Sequence, residues 1–419
     1  MTARNAARFL IPAILAALLF ALWSSWQAST PTEPAIELSD DDLEEKLAAL
    51  GYADWTDSTA AIAEDSGVTV HDRSRASEGY NLFNRRLRRE VLLLDMQGEV
   101  VHRWMPTGLE GTWHHVELAP NGDLLVIAKD GYLARLDWQG RVLWKRDMRA
   151  HHDVALGGSG EVYVLSRDLR EVGSPSGPVP IVDDIVVVLS ADGTVRRKVS
   201  VHDLFAGHLA PGTLEKVAEA LRAEPDAQRQ AELKLNDIYH TNTLEWIDRD
   251  VPGLARRGDL LVCLKHLDLI AVVDLEALRV RWSWGPGVLD QPHQPTLTRA
   301  DRILVFDNGT RRGWSRVLEL DAQSQEVVWE YIAEPREAFF SETRGGSHRL
   351  PNDNVLVTES NRGRVFEITP DGDIVWEFYN PNRREHPDGS GMQRQAIYRM
   401  TRVEAEFLAG APPFRGAHR

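Results

Sequence analysis

One cysteine, Cys263, is all the thiol chemistry available to this 419-residue chain. An intrachain disulfide is excluded, and so is a zinc ribbon built on paired cysteines. The apolar setting LLVCLK predicts a small buried hydrophobe at that position. Positive charge is also scarce, because 48 Lys and Arg stand against 63 Asp and Glu, a formal net charge of −15. Nucleic-acid binding is driven by clustered basic residues, so neither nucleic acid nor an anionic membrane surface is an expected partner. The acidic excess serves solubility. The chain has no Walker loop, no GxGxxG and no HExxH, which leaves nucleotide cradles and zinc-protease helices without a basis in sequence. No cofactor is expected.

What the chain does have is repetition. The stretch from His293 to Trp376 holds nearly the same phrase twice, and Trp329 and Trp376 lie 47 residues apart. Each copy contains a leucine, a turn, an apolar strand, a polar loop, a second strand, an Asp-containing turn, and Val or Ile two residues before Trp. The same ending recurs at His102, Trp144, Arg197 and Trp282, which makes six units. A period of 40 to 50 residues with several short strands is that of a β-propeller blade, in which sheets around an axis cover one another's faces. An all-β, six-bladed propeller over residues 67–403 is the predicted architecture. The first unit lacks a leading strand, and Ala396 to Val403 is expected to supply it and close the ring.

Two segments interrupt this pattern. Residues 1–28 carry Arg4 and Arg8 before an apolar run from Phe9 to Trp23. This predicts an N-terminal membrane segment, a signal anchor or a cleaved signal peptide, with the rest of the chain in the periplasm or otherwise outside the cytoplasm. A linker with a short amphipathic helix follows over 29–66, with Ser39 as N-cap and Gly51 as its end. The long interval between the third and fourth units holds a helical insertion over about 201–237. There Leu214, Val217 and Leu221 share one face, and Pro225 breaks the run. Residues 404–419 form a C-terminal tail.

Candidate chemistry comes from the 14 histidines. His114, His152, His240 and His293 each stand four residues before a leucine of the unit's first strand (Leu118, Leu156, Leu244, Leu297), and His348 stands two before Leu350. With side chains alternating along a strand, histidine and leucine share a side. The imidazoles are therefore expected to converge at one mouth of the axial channel. Their unlike contexts, WHHVEL, HHDVAL, DIYHTNTL, QPHQPTL and GGSHRL, point to specialised roles. Two other readings stay open: a non-catalytic envelope propeller that binds a ligand or protein partner, and a metal site made of three convergent imidazoles.

Taken in order, HHVELAPNGDLLV, HHDVAL, YHTNTLEW, LLVCLKHLDLIAVVDL, ILVFDNG with SRVLELD, and GSHRLPNDNVLVTES with GRVFEITPDGDIVWEFYNP resemble the bacterial arylsulfate sulfotransferase family over residues 67 to 403. The resemblance implies an exported six-bladed propeller. It would move a sulfuryl group from an aryl sulfate donor to a phenolic acceptor, without the nucleotide donor PAPS, through a sulfated histidine. Carried over by motif, His293 is the nucleophile, His152 and His240 support it, and Lys265 stands where the family has an arginine. His240 is expected to serve as acid and then base, with its proton affinity near the ordinary imidazole value. His348 and His114 are expected substrate contacts.

The topology is open to direct test. Reporter fusions after residue 60 should be active only outside the cytoplasm, and activity confined to the cytoplasm would overturn the expected orientation.

Overall fold

The computed structural model describes residues 55–57 and 64–413. The membrane segment expected over 1–28 and the helix expected after Ser39 lie outside the described residues. Among the described residues, no helix is long and apolar enough to cross a membrane.

The described chain is all-β, with six antiparallel sheets of four or five strands in a propeller-like succession. Sheets two to five take four consecutive strands each, and their inner strands are Trp113–Leu118, Ala150–Leu156, Thr241–Trp246 and His293–Leu297. Gly346–Arg349 is the inner strand of sheet six. Sheet one borrows its inner strand from the far end of the chain, where Met400–Val403 pairs with Tyr80–Arg85 in the register Met400↔Phe83 and Val403↔Tyr80. The expected closing strand is thus present, but it begins at Met400 rather than Ala396. The chain order of the first unit is corrected at its start: GVTVH (Gly67–His71), where the predicted propeller begins, is not part of sheet one but pairs with Ile374–Tyr379 and covers the outer edge of sheet six as a fifth strand, Val68 opposite Phe378. An uncovered edge presents unpaired backbone groups, and this strand satisfies them.

The six repeat markers lie on the fourth strand of each sheet counted from the inner one, each just past a register shift. Five of them hydrogen-bond to a backbone carbonyl in a turn of the next sheet. His102 Nε2 donates to Trp138 O (2.9 Å), Trp144 Nε1 to Ala191 O (2.9 Å), Trp282 Nε1 to Ala322 O (3.1 Å) and Trp329 Nε1 to Pro370 O (2.8 Å). Trp376 Nε1 returns from sheet six to Met96 O of sheet one (2.9 Å). The remaining marker, Arg197, reaches sheet four through Glu276 (3.0 Å). Gly193 shows why a turn glycine is needed: its φ is +78°, and an added Cβ would lie 2.7 Å from the Trp144 ring.

The insertion forms helices Val201–Phe205, Thr213–Ala223 and Ala227–Glu232, with Pro225 in the break between the last two. Val217 is buried and Leu214 and Leu221 pack beside it, against a core shared with Val172, Val179 and Ile181 of the long hairpin in sheet three. The expected apolar face is therefore the one used. After the last helix the chain reaches Asp237 and His240, so the insertion delivers residues to the inner end of sheet four.

Trp376 is fully buried, whereas the indole of Trp329 hydrogen-bonds at an exposed position. Trp376→Phe should destabilise the protein by about 2–4 kcal/mol, from lost volume and an unsatisfied carbonyl, and Trp329→Phe by about 1 kcal/mol or less. Urea denaturation of the two variants checks the order, and equal losses would contradict it.

Candidate active site

The inner strands reach the axis with irregular starts. Register shifts occur between Trp113 and His115, Ala150 and Val154, Thr241 and Thr243, and His293 and Thr296, whereas sheet six pairs without a break. Bulges of this kind re-aim a side chain at the end of a strand. In sheets two, four and five one extra residue breaks the period of two, which corrects the expectation that histidine and leucine share a side there, whereas in sheet three the shift takes up two extra residues around His152. The assumed register is corrected at His240. Leu118, Leu156 and Leu297 pair with the first residue of the next strand, but in sheet four that place belongs to Trp246, opposite Leu260. Four residues before Trp246 stands Asn242, and His240 lies two positions further out, in the turn. It still reaches the axis because its backbone is left-handed (φ +48°), as is that of His152 (φ +54°).

The structure brings His114, His152 and His240 together in one row. Ring centroids lie 5.1 Å apart for His114 and His152, 4.8 Å for His152 and His240, and 4.7 Å for His240 and His266. Tyr398 continues the row beyond His114, at 4.2 Å. His293 belongs to the same electrostatic neighbourhood, since the charge of Lys265 acts both on it and on His240. His348 is not part of the row. Its Nε2 accepts the backbone N–H of Arg402 at 3.3 Å, and it sits between sheet six and the closing strand, a structural contact in place of the expected substrate contact.

Hydrogen-bond partners fix which nitrogen of each ring carries the proton. Asn308 donates its amide N–H groups to Ser341 O (2.8 Å) and Arg344 O (2.6 Å), so its Oδ1 must accept from His293 Nδ1 at 2.7 Å. That leaves a lone pair on Nε2 of His293. Asp237 treats His240 similarly: one carboxylate oxygen accepts the backbone N–H (3.1 Å), and the other accepts from Nδ1 at 2.5 Å. His114 is the opposite tautomer, because its Nδ1 accepts the backbone N–H of His152 at 3.2 Å and its proton is left on Nε2.

Lys265 is buried, 8% exposed, at the start of a 3-10 turn after Leu260–Leu264, and its backbone N–H donates to His240 O at 3.2 Å. Among the described residues no hydrogen bond or ion pair engages its ammonium. Burial, then the charge of Lys234, push its pKa down to about 8, against the raising effect of Asp237. Burial also lowers every imidazole of the row. His240 falls well below its ordinary value through burial and then His266, Lys265, Lys234 and His293; His152 through burial and then His240, His151, Lys129 and Arg167; His114 through burial and then Arg86, His152, Lys129 and Arg344. His293 is held at about 3 by burial and Lys265, despite Asn308. The expectation that His240 stays near the ordinary imidazole value is thereby corrected: at rest it is neutral.

His151, His266, Asp237, Asn308 and Tyr398 were not singled out from the sequence. The doubled histidine of HHDVAL and the Asp-Asn pair of ILVFDNG were the signals available. Asp237, His240 and His266 place three ligand atoms within 4.8 Å of one another, the arrangement nearest to a metal centre among the described residues. Both Asp237 oxygens are spent on His240, His266 donates Nδ1–H to Asp237 O at 2.5 Å, and its ring stacks on that of His240 at 30°. Stacked rings do not aim two lone pairs at one ion, and the Lys265 charge acts on the same ring. The group does not fit a metal. A cleft of about 460 Å³ beside Asp250 and Arg256 contains no histidine, and Arg281 in its wall is paired with Asp259 at 2.7 Å.

No curated protein sequence matches the chain. Solved structures similar to it include a protein of unknown function from Bacteroides caccae (13% identity, 78% of this chain and 99% of that one, TM-score 0.44). A streptogramin B lyase matches at 11% identity over 83% of this chain and 96% of that one, with a TM-score of 0.46. An inactive variant of virginiamycin B lyase from Staphylococcus aureus, in complex with quinupristin, matches at 10% identity over 83% and 98%, with a TM-score of 0.44. The family model described as Arylsulfotransferase (ASST) matches residues 115–381. That is more than half of the chain and includes His152, His240, Lys265 and His293, and the chain accordingly belongs to the arylsulfotransferase family.

Proposed function

We propose that this chain is a six-bladed propeller, held outside the cytoplasm by its N-terminal segment, that transfers a sulfuryl group from an aryl sulfate to a phenol through a sulfated His293. Membership of the arylsulfotransferase family supports aryl sulfotransferase activity in general. The observation that carries the finer reading is the pairing of His293 with Asn308, which leaves a lone pair on Nε2 in the electrostatic reach of a buried ammonium.

Nucleophilic imidazole must be neutral, and the site holds His293 neutral at any ordinary pH. Nε2 attacks sulfur, an N–S bond forms, and the bond from sulfur to the aryl oxygen breaks. The Lys265 ammonium faces the non-bridging oxygens, whose charge the transition state redistributes. In the second step the oxygen of the acceptor phenol attacks sulfur, the N–S bond breaks, and the phenol's proton passes to Nε2 of His240. Asp237 stands behind His240 to stabilise the imidazolium so formed. The anionic sulfuryl group offsets the surrounding cations, which lets a protonated His240 return that proton to a departing aryloxide. His152 and His114 line the remainder of the row.

His293→Ala should abolish transfer from a chromogenic aryl sulfate while leaving the melting temperature nearly unchanged. Mass spectrometry after brief donor exposure should locate the added sulfuryl group on His293 of the unaltered protein. Full activity in the variant rejects the nucleophile. Absence of turnover with several donors would favour a binding propeller, and a metal bound through His293 would favour a metal site.

Lys265→Ala should lower the chemical step by about 10²- to 10³-fold, the loss typical of a preorganised charge-stabilising group. Lys265→Arg should retain activity, since a guanidinium can also grip sulfuryl oxygens. Inhibition by inorganic sulfate should weaken as pH rises through about 8, where the ammonium is lost. Stability carries the opposite sign. The folded pKa lies below the unfolded one, so the unfolded chain binds more protons above pH 8, and the burial penalty is fully present below it. Lys265→Met should therefore raise stability at pH 7 and lose that advantage toward pH 10.5. A destabilised, fully active Lys265→Met enzyme would mean that the lysine is structural.

A further inference from the structure

Behind His152 stands a buried pair that the mechanism above does not use. His151 Nδ1 lies 2.7 Å from His152 Nδ1, and a carboxylate oxygen of Asp184 lies 3.2 Å from the other nitrogen of His151, as an off-axis ionic contact. The second Asp184 oxygen accepts the backbone N–H of Thr241 at 2.6 Å, which ties the carboxylate to the start of sheet four. His151 and Asp184 are 1% and 2% exposed, and the Asp184 carboxylate is the group facing His151 Nε2.

Two imidazole nitrogens at 2.7 Å require one donor and one acceptor. A carboxylate only accepts, so a proton on His151 Nε2 is favoured and a lone pair there is repelled. His151 Nδ1 is then the acceptor, His152 Nδ1 is the donor, and His152 is left with its lone pair on Nε2. We infer that Asp184 and His151 are positioning residues that hold His152 as the Nδ1–H tautomer, so that a lone pair rather than an N–H is the free group His152 offers the row. His240 and His293 receive the same tautomer from Asp237 and Asn308. Three different side-chain types, from three different parts of the fold, thus impose one tautomer on three neighbouring rings. The catalytic consequence rests on the sulfotransferase reading; the tautomer itself does not.

Asp184→Asn separates this role from a merely structural one. Asparagine keeps the size of aspartate and can still accept from Thr241 N–H through its carbonyl, but it turns an NH₂ toward His151 Nε2. His151 would then accept at Nε2 and carry its proton on Nδ1, and His152 Nδ1 would become an acceptor with its proton displaced to Nε2. Substituting an amide for the carboxylate behind a catalytic histidine is known to impose the wrong tautomer at a cost of about 10⁴-fold in kcat. Here a relay through a second ring is expected to cost about 10²- to 10⁴-fold in kcat, with KM changed only a few-fold.

The readout is nitrogen NMR of the full chain labelled with 15N-histidine, without substrate, the His152 signals being assigned by their loss in His152→Gln. In the unaltered protein His152 Nδ1 should be protonated and Nε2 not, and in Asp184→Asn the two should exchange. The double variant Asp184→Asn with His151→Asn should restore the original tautomer and part of kcat, because the carbonyl of an asparagine at 151 can accept from His152 Nδ1 whatever residue 184 offers. A protonated Nε2 in the unaltered protein, or an unchanged tautomer in Asp184→Asn, overturns the inference. A switched tautomer with unchanged kcat removes the catalytic role. If Asp184→Asn fails to fold, His151→Asn alone should keep Nδ1–H on His152, and loss of that proton overturns the relay. Because the NMR needs no turnover, an inactive but correctly tautomeric protein would reject the proposed reaction and leave the positioning intact.

Discussion

The hydrogen bond from an outer-strand ring to a carbonyl of the next sheet is the constraint on which the rest of this structure depends. Five rings and one arginine make the connection, and the Trp376 to Met96 link returns from the last sheet to the first. A sheet of four short strands is amphipathic on both faces and cannot stand alone. Once the outer corners are fixed to one another, the spacing of the sheets is set by large rigid groups at the rim. The inner strands are then free to end irregularly, because their position no longer depends on ideal pairing at the axis. The bulges before His115, Val154, Thr243 and Thr296 occur on those inner strands.

That division of labour pays for an unfavourable centre. Five imidazoles and a lysine are gathered where burial disfavours charge, and Arg86, Lys129, Lys234 and Arg344 act on them as well. Each group responds in the direction burial and like charge require, the imidazoles by staying neutral and the lysine by a pKa near 8. Left-handed backbone at His152, His240 and Gln294 adds local strain at the same place. A centre assembled against both electrostatics and backbone preference is relieved by an anion. This asymmetry between the resting site and an anion-occupied one is the physical support for the sulfuryl transfer proposed above.

The rim was legible in sequence and the centre only partly. Trp144, Trp282, Trp329 and Trp376 recur at a fixed place because each repeats the same contact, and a repeated contact leaves a period. The strand borrowed by sheet one could be read as well, since a unit without its leading strand must take one from elsewhere. Gly67–His71 was misplaced because a strand's alternation says nothing about which edge it covers. At the centre, histidine content and spacing found His114, His152, His240 and His293, although the leucine register that located His240 was wrong by one pleat pair. His348 shared the composition but not the bulge, and it stays between sheets. What sequence could not supply were the partners: Asn308 is 15 residues from His293 and lies just past the end of the next strand of its sheet, whereas Asp184 reaches His151 across the third sheet. Residue type suggests a role, and only pairing geometry states which nitrogen holds the proton.

The tautomers lead to one more step. His152, His240 and His293 all spend Nδ1–H on a partner behind them, so none offers its free nitrogen as a donor at rest. His114 alone in the row has its proton on Nε2, because it accepts from the backbone of His152. A sulfuryl group has three non-bridging oxygens, all acceptors, and lone pairs pointed at them would repel. Among the rings of the row, the one that turns an N–H rather than a lone pair away from its partner is therefore His114, through Nε2. The row is polar in direction, with the lone pair of His240 toward one end and the N–H of His114 at the other, while cations act on both ends, Lys265 and Lys234 on His240 and Arg86, Lys129 and Arg344 on His114. A neutral N–H beside Tyr398 suits an oxygen that bears little charge, such as that of a phenol, better than it suits a sulfuryl oxygen.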